Sequence, residues 1–168
     1  MNPLVSIIMG STSDWPIMKK AALFFEEMEI PFEVNALSAH RTPEKVEKFA
    51  KNASDKGIKI IIAGAGMAAH LPGVIAAMTP IPVIGVPIKA SLDGLDSLLA
   101  IVQMPPGIPV ATVAINGSLN AGILAAQILS VNNNDMFNKT VDYKENLKLK
   151  IVKANEELQK EKFNYRTN

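Results

Sequence analysis

A short segment with a histidine, an arginine and two hydroxyl side chains is the best candidate for chemistry in this sequence. It spans residues 38–43 and reads Ser-Ala-His-Arg-Thr-Pro. An imidazole changes its charge near neutral pH, whereas a guanidinium is a permanent cation. Beside the free N–H groups of a helix start, His40 and Arg41 would suit proton transfer on an anionic substrate. The alternative is a surface His-Arg pair without a catalytic role.

Two further segments carry residues of the kind that line ligand sites. Residues 10–14, Gly-Ser-Thr-Ser-Asp, could hold a phosphate, although they match neither a Walker loop nor a dinucleotide fingerprint. Without a ligand, Ser13 or Asp14 would simply cap the next helix. Residues 64–73 contain small residues that let a ligand approach the backbone, and also the only other histidine, His70. A hydrogen-bonded packing role is the alternative for His70.

Composition favours one ordinary globular domain. The 168 residues are 48% hydrophobic and 20% charged, which is enough for one core. The net charge of +1 gives no bulk electrostatic reason to expect nucleic acid or membrane binding. The absence of cysteine excludes disulfides, thiolate catalysis and cysteine-based metal sites. Because no signal-type segment or membrane-length apolar run is present, we expect a cytoplasmic protein.

Apolar patterns predict strands that alternate with helices. The predicted strands are residues 4–9, 32–37, 58–63, 82–86 and 110–115. The predicted helices are one opened by Pro16, one from residue 43 to about 56, and two at residues 95–102 and 119–129. This alternation predicts an α/β fold, a three-layer α/β/α sandwich around a five-stranded parallel sheet. Right-handed crossovers place the strand-end loops at one edge of that sheet.

The helix after the histidine segment has the clearest start signal. Thr42 is a good N-cap residue, and Pro43 fits the first helical position. Gly57 is expected to end the helix. The apolar face repeats at i, i+3, i+4 and i+7 and consists of Val46, Phe49, Ala50 and Ala53.

A charged C-terminal helix is predicted over residues 138–163, after a break at residues 132–135. Its apolar stripe consists of Leu147, Ile151, Ala154 and Leu158. A stripe this narrow cannot form a core alone. We therefore expect a single domain, residues 1–168, with a sandwich over residues 1–130. The extra C-terminal helix would pack on the body or on a neighbouring subunit.

These three segments, together with residues 96–105, resemble the PurE family, the N5-carboxyaminoimidazole ribonucleotide mutases (class I) of purine biosynthesis. The resemblance covers roughly residues 5–129. It implies a flavodoxin-like sandwich that assembles as a homo-octamer, with sites at subunit junctions and with neither a metal nor an organic cofactor. The implied activity is that of an isomerase, which converts N5-carboxyaminoimidazole ribonucleotide to 4-carboxy-5-aminoimidazole ribonucleotide.

The resemblance also implies a role for each candidate site residue. His40 would be the general acid and base. The groups that hold the 5′-phosphate would be Ser11, Ser13, Ser38 and Arg41. Asp14 would accept hydrogen bonds from the ribose hydroxyls, and His70 would position the reacting groups. The residues facing the imidazole ring and the migrating carboxylate would be Gly64, Ala65, Gly66, Ala68 and Leu71.

Two other functions stay open. A related carboxylase would use aminoimidazole ribonucleotide and carbon dioxide directly, but such enzymes carry Lys-Gly where this chain has Arg41-Thr42, which favours the mutase. A non-catalytic nucleotide- or flavin-binding protein could share the fold. Two features differ from the usual family pattern: Met67 stands where glycine is expected, and the turn at residues 116–120 is about two residues short and lacks a lysine.

Overall fold

The structure is a computed structural model that describes residues 2–168, and it contains one five-stranded sheet. The strands are β1 (Val5–Met9), β2 (Phe32–Ala36), β3 (Ile60–Gly66), β4 (Val83–Ile88) and β5 (Ala111–Thr112). Every neighbouring pair is parallel, and the order is β2-β1-β3-β4-β5. The predicted α/β fold with a five-stranded parallel sheet is therefore confirmed.

Helices connect the strands and follow the last of them. They are α1 (Trp15–Met28), α2 (Pro43–Asn52), α3 (Leu71–Ala76), α4 (Leu95–Val102), α5 (Ser118–Ser130) and α6 (Asn134–Gln159). The chain divides into two compact units, the first ending at Ile128 and the second comprising Leu129–Asn168. In the part of the chain that the structure describes, no helix combines the length and apolarity needed to cross a membrane.

The core of the first unit lies around the central strands. All five residues of β1 and all six of β4 are buried, as expected for parallel strands covered on both faces. The apolar face predicted for α2 is buried as well. On α1 the buried side chains include Met18, Phe25 and Met28, which confirms the predicted face of that helix.

The strand boundaries differ from those predicted. β3 begins at Ile60 rather than residue 58 and continues to Gly66, because small residues pair with β4 as well as larger ones do. β4 runs through Pro87, which was predicted to bound it. Pro87 pairs with Ala65 of β3, but β5 pairs only with Ile84 and Gly85, so on the β5 side no partner strand needs the N–H that Pro87 lacks. β5 itself has two residues rather than six.

The helix boundaries also differ in places. α2 ends at Asn52 instead of residue 56, and residues 53–57 form a turn in which Gly57 has φ +89°. α3 was not predicted, because its six residues are too few to show a helical period. α6 spans Asn134–Gln159 rather than residues 138–163, since the Asn133 side chain caps it by accepting a hydrogen bond from the Met136 N–H.

The short turn after β5 is held by one asparagine. Asn116 has φ +58°, and its backbone N–H donates to the Pro87 carbonyl at 2.8 Å. Its side-chain oxygen accepts a hydrogen bond from the Lys89 N–H at 2.9 Å. Both bonds reach the end of β4, so the shortened turn is tied directly to the sheet.

The sheet order brings the three candidate segments together. β1 lies between β2 and β3, and each of these three strands is followed by one of the segments. The chain order of the strands reverses next to β1, which creates the kind of crevice where ligands bind in open α/β sheets.

Candidate functional site

A cavity of about 520 Å³ opens at the carboxyl edge of β1, β2 and β3. Its wall is built from the segments at residues 10–14, 38–41 and 65–71, together with Ala90. Its volume is within the usual range for small-molecule sites. Three loops far apart in sequence therefore form one concave surface.

All the candidate site residues line this cavity except Gly64. A Cβ atom on Gly64 would lie 2.5 Å from the Met18 sulfur, so the missing side chain lets α1 pack closely on β3. The prediction that the Gly64 backbone faces a ligand stays a prediction. For the other residues the structure gives the location, and their roles stay predictions.

Four lining residues were not among the candidates for a binding role: Gly10, Ala39, Met67 and Ala90. The first three lie within or beside the predicted segments. Ala90 follows β4, the neighbour of β3 in the sheet, so the sheet order alone points to it. Alanine has no functional group, so its residue type alone did not indicate that Ala90 lines the cavity.

The two histidines meet in the cavity. The Nε2 atom of His40 lies 2.8 Å from the Nδ1 atom of His70, and the rings pack edge to face with centroids 5.0 Å apart. One hydrogen atom lies between the two nitrogens, so the tautomer of one ring fixes that of the other. The prediction that both histidines lie at the same edge of the sheet is confirmed.

The corner that carries His40 is closed by Thr42. The Thr42 hydroxyl accepts a hydrogen bond from the Ser38 N–H at 3.0 Å and donates to the Ser38 carbonyl at 3.1 Å. The Thr42 N–H donates to the same carbonyl at 2.8 Å. Thr42 thus occupies the N-cap position of α2 without a side-chain capping bond, because its hydroxyl is used within the corner.

Arg41 links two of the three segments. Its Nη2 atom donates to the Gly10 carbonyl at 3.0 Å, across to the turn after β1. Its backbone N–H and its Nε atom donate to the Ser38 hydroxyl at 3.2 Å and 3.4 Å. The guanidinium is therefore held at the cavity wall with its charge available to an anion.

The turn after β1 presents two serine hydroxyls. Ser11 Oγ accepts hydrogen bonds from the Ser13 N–H at 3.3 Å and from the Ser13 hydroxyl at 2.9 Å. Ser11 thereby caps the short 3₁₀ turn Thr12–Asp14. Asp14 stands at the N-cap position of α1, as one of the two predicted candidates, but its side chain makes no capping hydrogen bond.

The Asp14 carboxyl is the site group with a resolved electrostatic shift. Partial burial raises its pKa above the ordinary value. The Ser13 hydroxyl, the Ser11 backbone and the Arg41 charge oppose this shift, in that order of importance. Asp14 is consequently a hydrogen-bond acceptor that carries a desolvation cost when it is ionised.

The arrangement combines an anion-binding wall with a proton carrier. Serine hydroxyls and the Arg41 guanidinium can hold an oxyanion, and the His40–His70 pair can donate or accept a proton. The small residues around Gly66 leave room for a flat ring close to the backbone. Within residues 2–168, no group of three or more histidine, aspartate or glutamate side chains is placed to hold a metal ion.

This chain is similar in sequence to members of one protein family. Residues 4–150 match the family described as AIR carboxylase. The N5-carboxyaminoimidazole ribonucleotide mutase of Thermotoga maritima is 55% identical over 158 residues, which cover 94% of this chain and 92% of that protein. The mutase of Bacillus subtilis is 53% identical over 161 residues, covering 94% of this chain and 99% of that protein.

A relative that is much longer than this chain is also similar to it in sequence. The phosphoribosylaminoimidazole carboxylase of Candida glabrata is 61% identical over 142 residues, and the chain spans only 25% of that protein's length. Among solved structures, Treponema denticola PurE has a TM-score of 0.84 at 30% identity and is covered over 99% of its length by 94% of this chain.

Proposed function

Because this chain belongs to the AIR carboxylase (PurE) family, we propose that it is an N5-carboxyaminoimidazole ribonucleotide mutase, an isomerase of purine biosynthesis. It converts N5-carboxyaminoimidazole ribonucleotide to 4-carboxy-5-aminoimidazole ribonucleotide. The observation that carries this proposal is the His40–His70 hydrogen bond inside a cavity whose wall also presents serine hydroxyls and an arginine.

In this proposal the ribonucleotide phosphate binds between the segments after β1 and β2. The hydroxyls of Ser11, Ser13 and Ser38 donate to the phosphate oxygens, and Arg41 neutralises part of the charge. Asp14 accepts hydrogen bonds from the ribose. The support is that these five residues line one cavity and that Arg41 already bridges the two segments.

The reaction moves one carboxylate and exchanges one proton. The bond from the exocyclic nitrogen to the carboxylate carbon breaks, its electrons stay on nitrogen, and His40 supplies the proton that completes the amine. Carbon 4 of the ring then attacks the released carbon dioxide. His40 takes the proton that leaves carbon 4, which restores both the ring and the catalyst. Enclosing carbon dioxide beside carbon 4 supplies the catalysis by proximity.

His70 acts in this scheme as a positioning residue. It accepts or donates the single hydrogen bond with His40 Nε2, and its own backbone is fixed at the start of α3, where the Val74 N–H donates to the His70 carbonyl at 2.9 Å. A ring held in this way limits the rotation of the His40 imidazole. His40 therefore meets the substrate in one orientation.

A second candidate is a carboxylase that uses aminoimidazole ribonucleotide and carbon dioxide directly. The name of the Candida glabrata relative favours it, whereas those of the Thermotoga maritima and Bacillus subtilis relatives favour the mutase. The two activities differ in their need for free bicarbonate. The third possibility, a non-catalytic nucleotide-binding protein, would leave the paired histidines without a use.

We further propose that the protein is a cytoplasmic homo-oligomer, an octamer by analogy with its family. Two sets of exposed apolar side chains support an oligomer. The first lies on α4 and the turn before it and consists of Leu92, Leu95, Leu99 and Val102. The second lies on α6, none of whose residues is buried, and includes Leu147, Ile151 and Leu158. Apolar surface of this kind is typical of interfaces between proteins.

The deciding experiment supplies N5-carboxyaminoimidazole ribonucleotide without bicarbonate and follows the carbon-4 product by absorbance. An enzyme-coupled trap removes any free aminoimidazole ribonucleotide. We expect rapid conversion, and we expect His40→Asn to lower kcat by roughly 10³-fold or more, within the range of acid–base catalysis. Product formed only from aminoimidazole ribonucleotide and bicarbonate would support the carboxylase instead, and product from neither would contradict both enzymes.

A further inference from the structure

Met67 is the one exposed methionine among residues 2–168. It is 59% exposed, whereas Met9, Met18 and Met28 are buried and the remaining described methionines are partly buried. The protein has no cysteine. Met67 is therefore the most exposed sulfur-containing residue in the described part of the chain.

The backbone places this methionine at the functional cavity. Met67 has φ +56°, which lies in the left-handed region that residues other than glycine rarely adopt. It lines the same cavity as His40 and His70. The only other large apolar lining residue is Leu71, which is 2% exposed and fixed in the core. In the single chain, Met67 is thus the one large apolar part of the wall that is exposed.

We propose that Met67 is an oxidation site through which peroxides reversibly lower activity at this cavity. The inference rests on the proposed function for its effect on turnover. In the modifying step, a lone pair of the thioether sulfur attacks one oxygen of hydrogen peroxide and the O–O bond breaks. Sulfur is oxidised to the sulfoxide, and the peroxide is reduced to water.

The sulfoxide changes the chemical character of the cavity wall. A flexible apolar side chain becomes a polar one with a strong hydrogen-bond acceptor. The ring and carboxylate of the proposed substrate meet a wall of small residues such as Ala65 and Ala68, where an added polar group has no partner. The sulfoxide also adds a polar acceptor to the cavity that holds His40 and His70. Substrate closure and proton transfer both suffer.

The experiment treats the full-length protein with hydrogen peroxide and maps sulfoxide by peptide mass spectrometry. Activity and fluorescence of Trp15, the only tryptophan, are followed in parallel during titration with aminoimidazole ribonucleotide. We expect Met67 to be oxidised before any other methionine of residues 2–168 and kcat/KM to fall roughly tenfold, the usual effect of one misplaced group in a pocket. A methionine sulfoxide reductase should restore the original value.

Two variants separate this site from general damage, and each is compared with its own untreated sample. Met67→Leu removes the sulfur and keeps the size, so peroxide should cost it little of its activity. Met136→Leu, on α6, should lose the same fraction as the unsubstituted protein. Earlier oxidation of another methionine within residues 2–168, or equal losses in Met67→Leu and the unsubstituted protein, would overturn the proposal.

The mapping also separates this proposal from the proposed function. If untreated protein fails to convert N5-carboxyaminoimidazole ribonucleotide, the mutase assignment fails. The oxidation site is then judged by the order of sulfoxide formation and by the ribonucleotide titration. Preferential oxidation at Met67 with weakened binding would support it, and unchanged binding after full oxidation of Met67 would overturn it.

Discussion

At the scale of single residues, the shared hydrogen bond between His40 and His70 limits how the site can hold protons. With Nε2 and Nδ1 only 2.8 Å apart, two charged rings would direct two N–H groups at each other, so the observed geometry fits a pair that holds at most one excess proton. In the proposed reaction, this pair would deliver and recover that one proton.

The positioning role of His70 can be tested with two substitutions of different chemistry. In His70→Phe the ring remains but the hydrogen bond is lost, and we expect kcat to fall by about a hundredfold, the effect of a small displacement of a reacting group. In His70→Asn an amide can take the place of Nδ1 and should recover much of that loss. Steady-state kinetics with the mutase substrate measures both, and equal losses in the two variants would contradict the role.

Asp14 provides a pH-dependent test of stability. Its pKa in the folded protein is raised above the ordinary value of 3.8, so the folded state binds more protons than the unfolded state between these two values. The ionised carboxylate therefore costs stability at neutral pH, and that cost disappears as the pH falls through the raised pKa towards 3.8. Asp14→Asn should consequently raise the free energy of unfolding at pH 7 and weaken ribonucleotide binding.

Urea unfolding at pH 7 and at pH 4 checks the Asp14 prediction. The gain from Asp14→Asn should be larger at pH 7 than at pH 4. Glu44→Gln, at an exposed position in the first turn of α2, serves as a control for removing one carboxylate. A gain that is larger at the lower pH would show that the sign of the argument is wrong.

At the scale of elements, two glycines set how closely helices approach the sheet. A Cβ on Gly64 would meet Met18 of α1, and a Cβ on Gly85 would lie 2.4 Å from a methyl carbon of Ile101 on α4. Distances this short do not occur between real side chains, so the helix or the strand would have to move. The layers on both sides of the sheet are thus fixed by the absence of side chains.

Gly85→Ala should destabilise the protein by about 1–3 kcal/mol through overpacking. Gly10→Ala is the matched control, because a Cβ there meets nothing within 4 Å. Its effect on stability should stay within about 0.5 kcal/mol. Urea unfolding monitored by circular dichroism measures both, and similar losses in the two variants would show that the close approach at Ile101 is not the cause.

The sequence-based predictions were most accurate for elements whose apolar residues recur at a regular spacing. The face of α2 and the bounds of α4 follow from apolar spacing alone, and both were confirmed. The end of β3 could not be predicted, because Gly64 and Gly66 show no pattern until β4 lies beside them. Thr42 shows the same limit, since its hydroxyl could bond equally to α2 or to Ser38, and only the folded corner decides.

The candidate site was predictable to the extent that its residue types carry chemistry. Histidines, serines and an arginine indicated the three segments, and the parallel sheet then required them to meet at one edge. The direct contact of His40 with His70 depends on side-chain geometry, which cannot be predicted from the spacing of residues in the sequence. Gly64 was assigned to the cavity because small residues at a strand end serve ligands and packing equally well.

At the scale of the whole molecule, α6 requires an explanation because none of its 26 residues is buried. Helical stability in proteins comes mainly from packing of an apolar face. The exposed residues Ile151 and Leu158 form part of such a face. We expect this face to be covered when copies of the chain assemble.

Replacing Ile151 and Leu158 together by glutamate tests the assembly. If α6 packs in the oligomer, the molar mass measured by light scattering should fall below that of the unsubstituted protein at the same concentration. Glu156→Gln, on the same helix, should leave the mass unchanged. An unchanged mass in the glutamate variant would mean that α6 does not contribute to assembly, and a monomeric unsubstituted protein would contradict the proposed octamer.

The position of β1 between β2 and β3 has a consequence for how the chain acquires its structure. Val5–Met9 is synthesised first, yet its partners Phe32–Ala36 and Ile60–Gly66 follow much later, and both pairings close long loops. Non-local parallel pairing is slow, and an unpaired apolar strand is prone to aggregate. During translation β1 must therefore wait until β3 has been synthesised, and chaperones that shield short apolar segments would act at this stage.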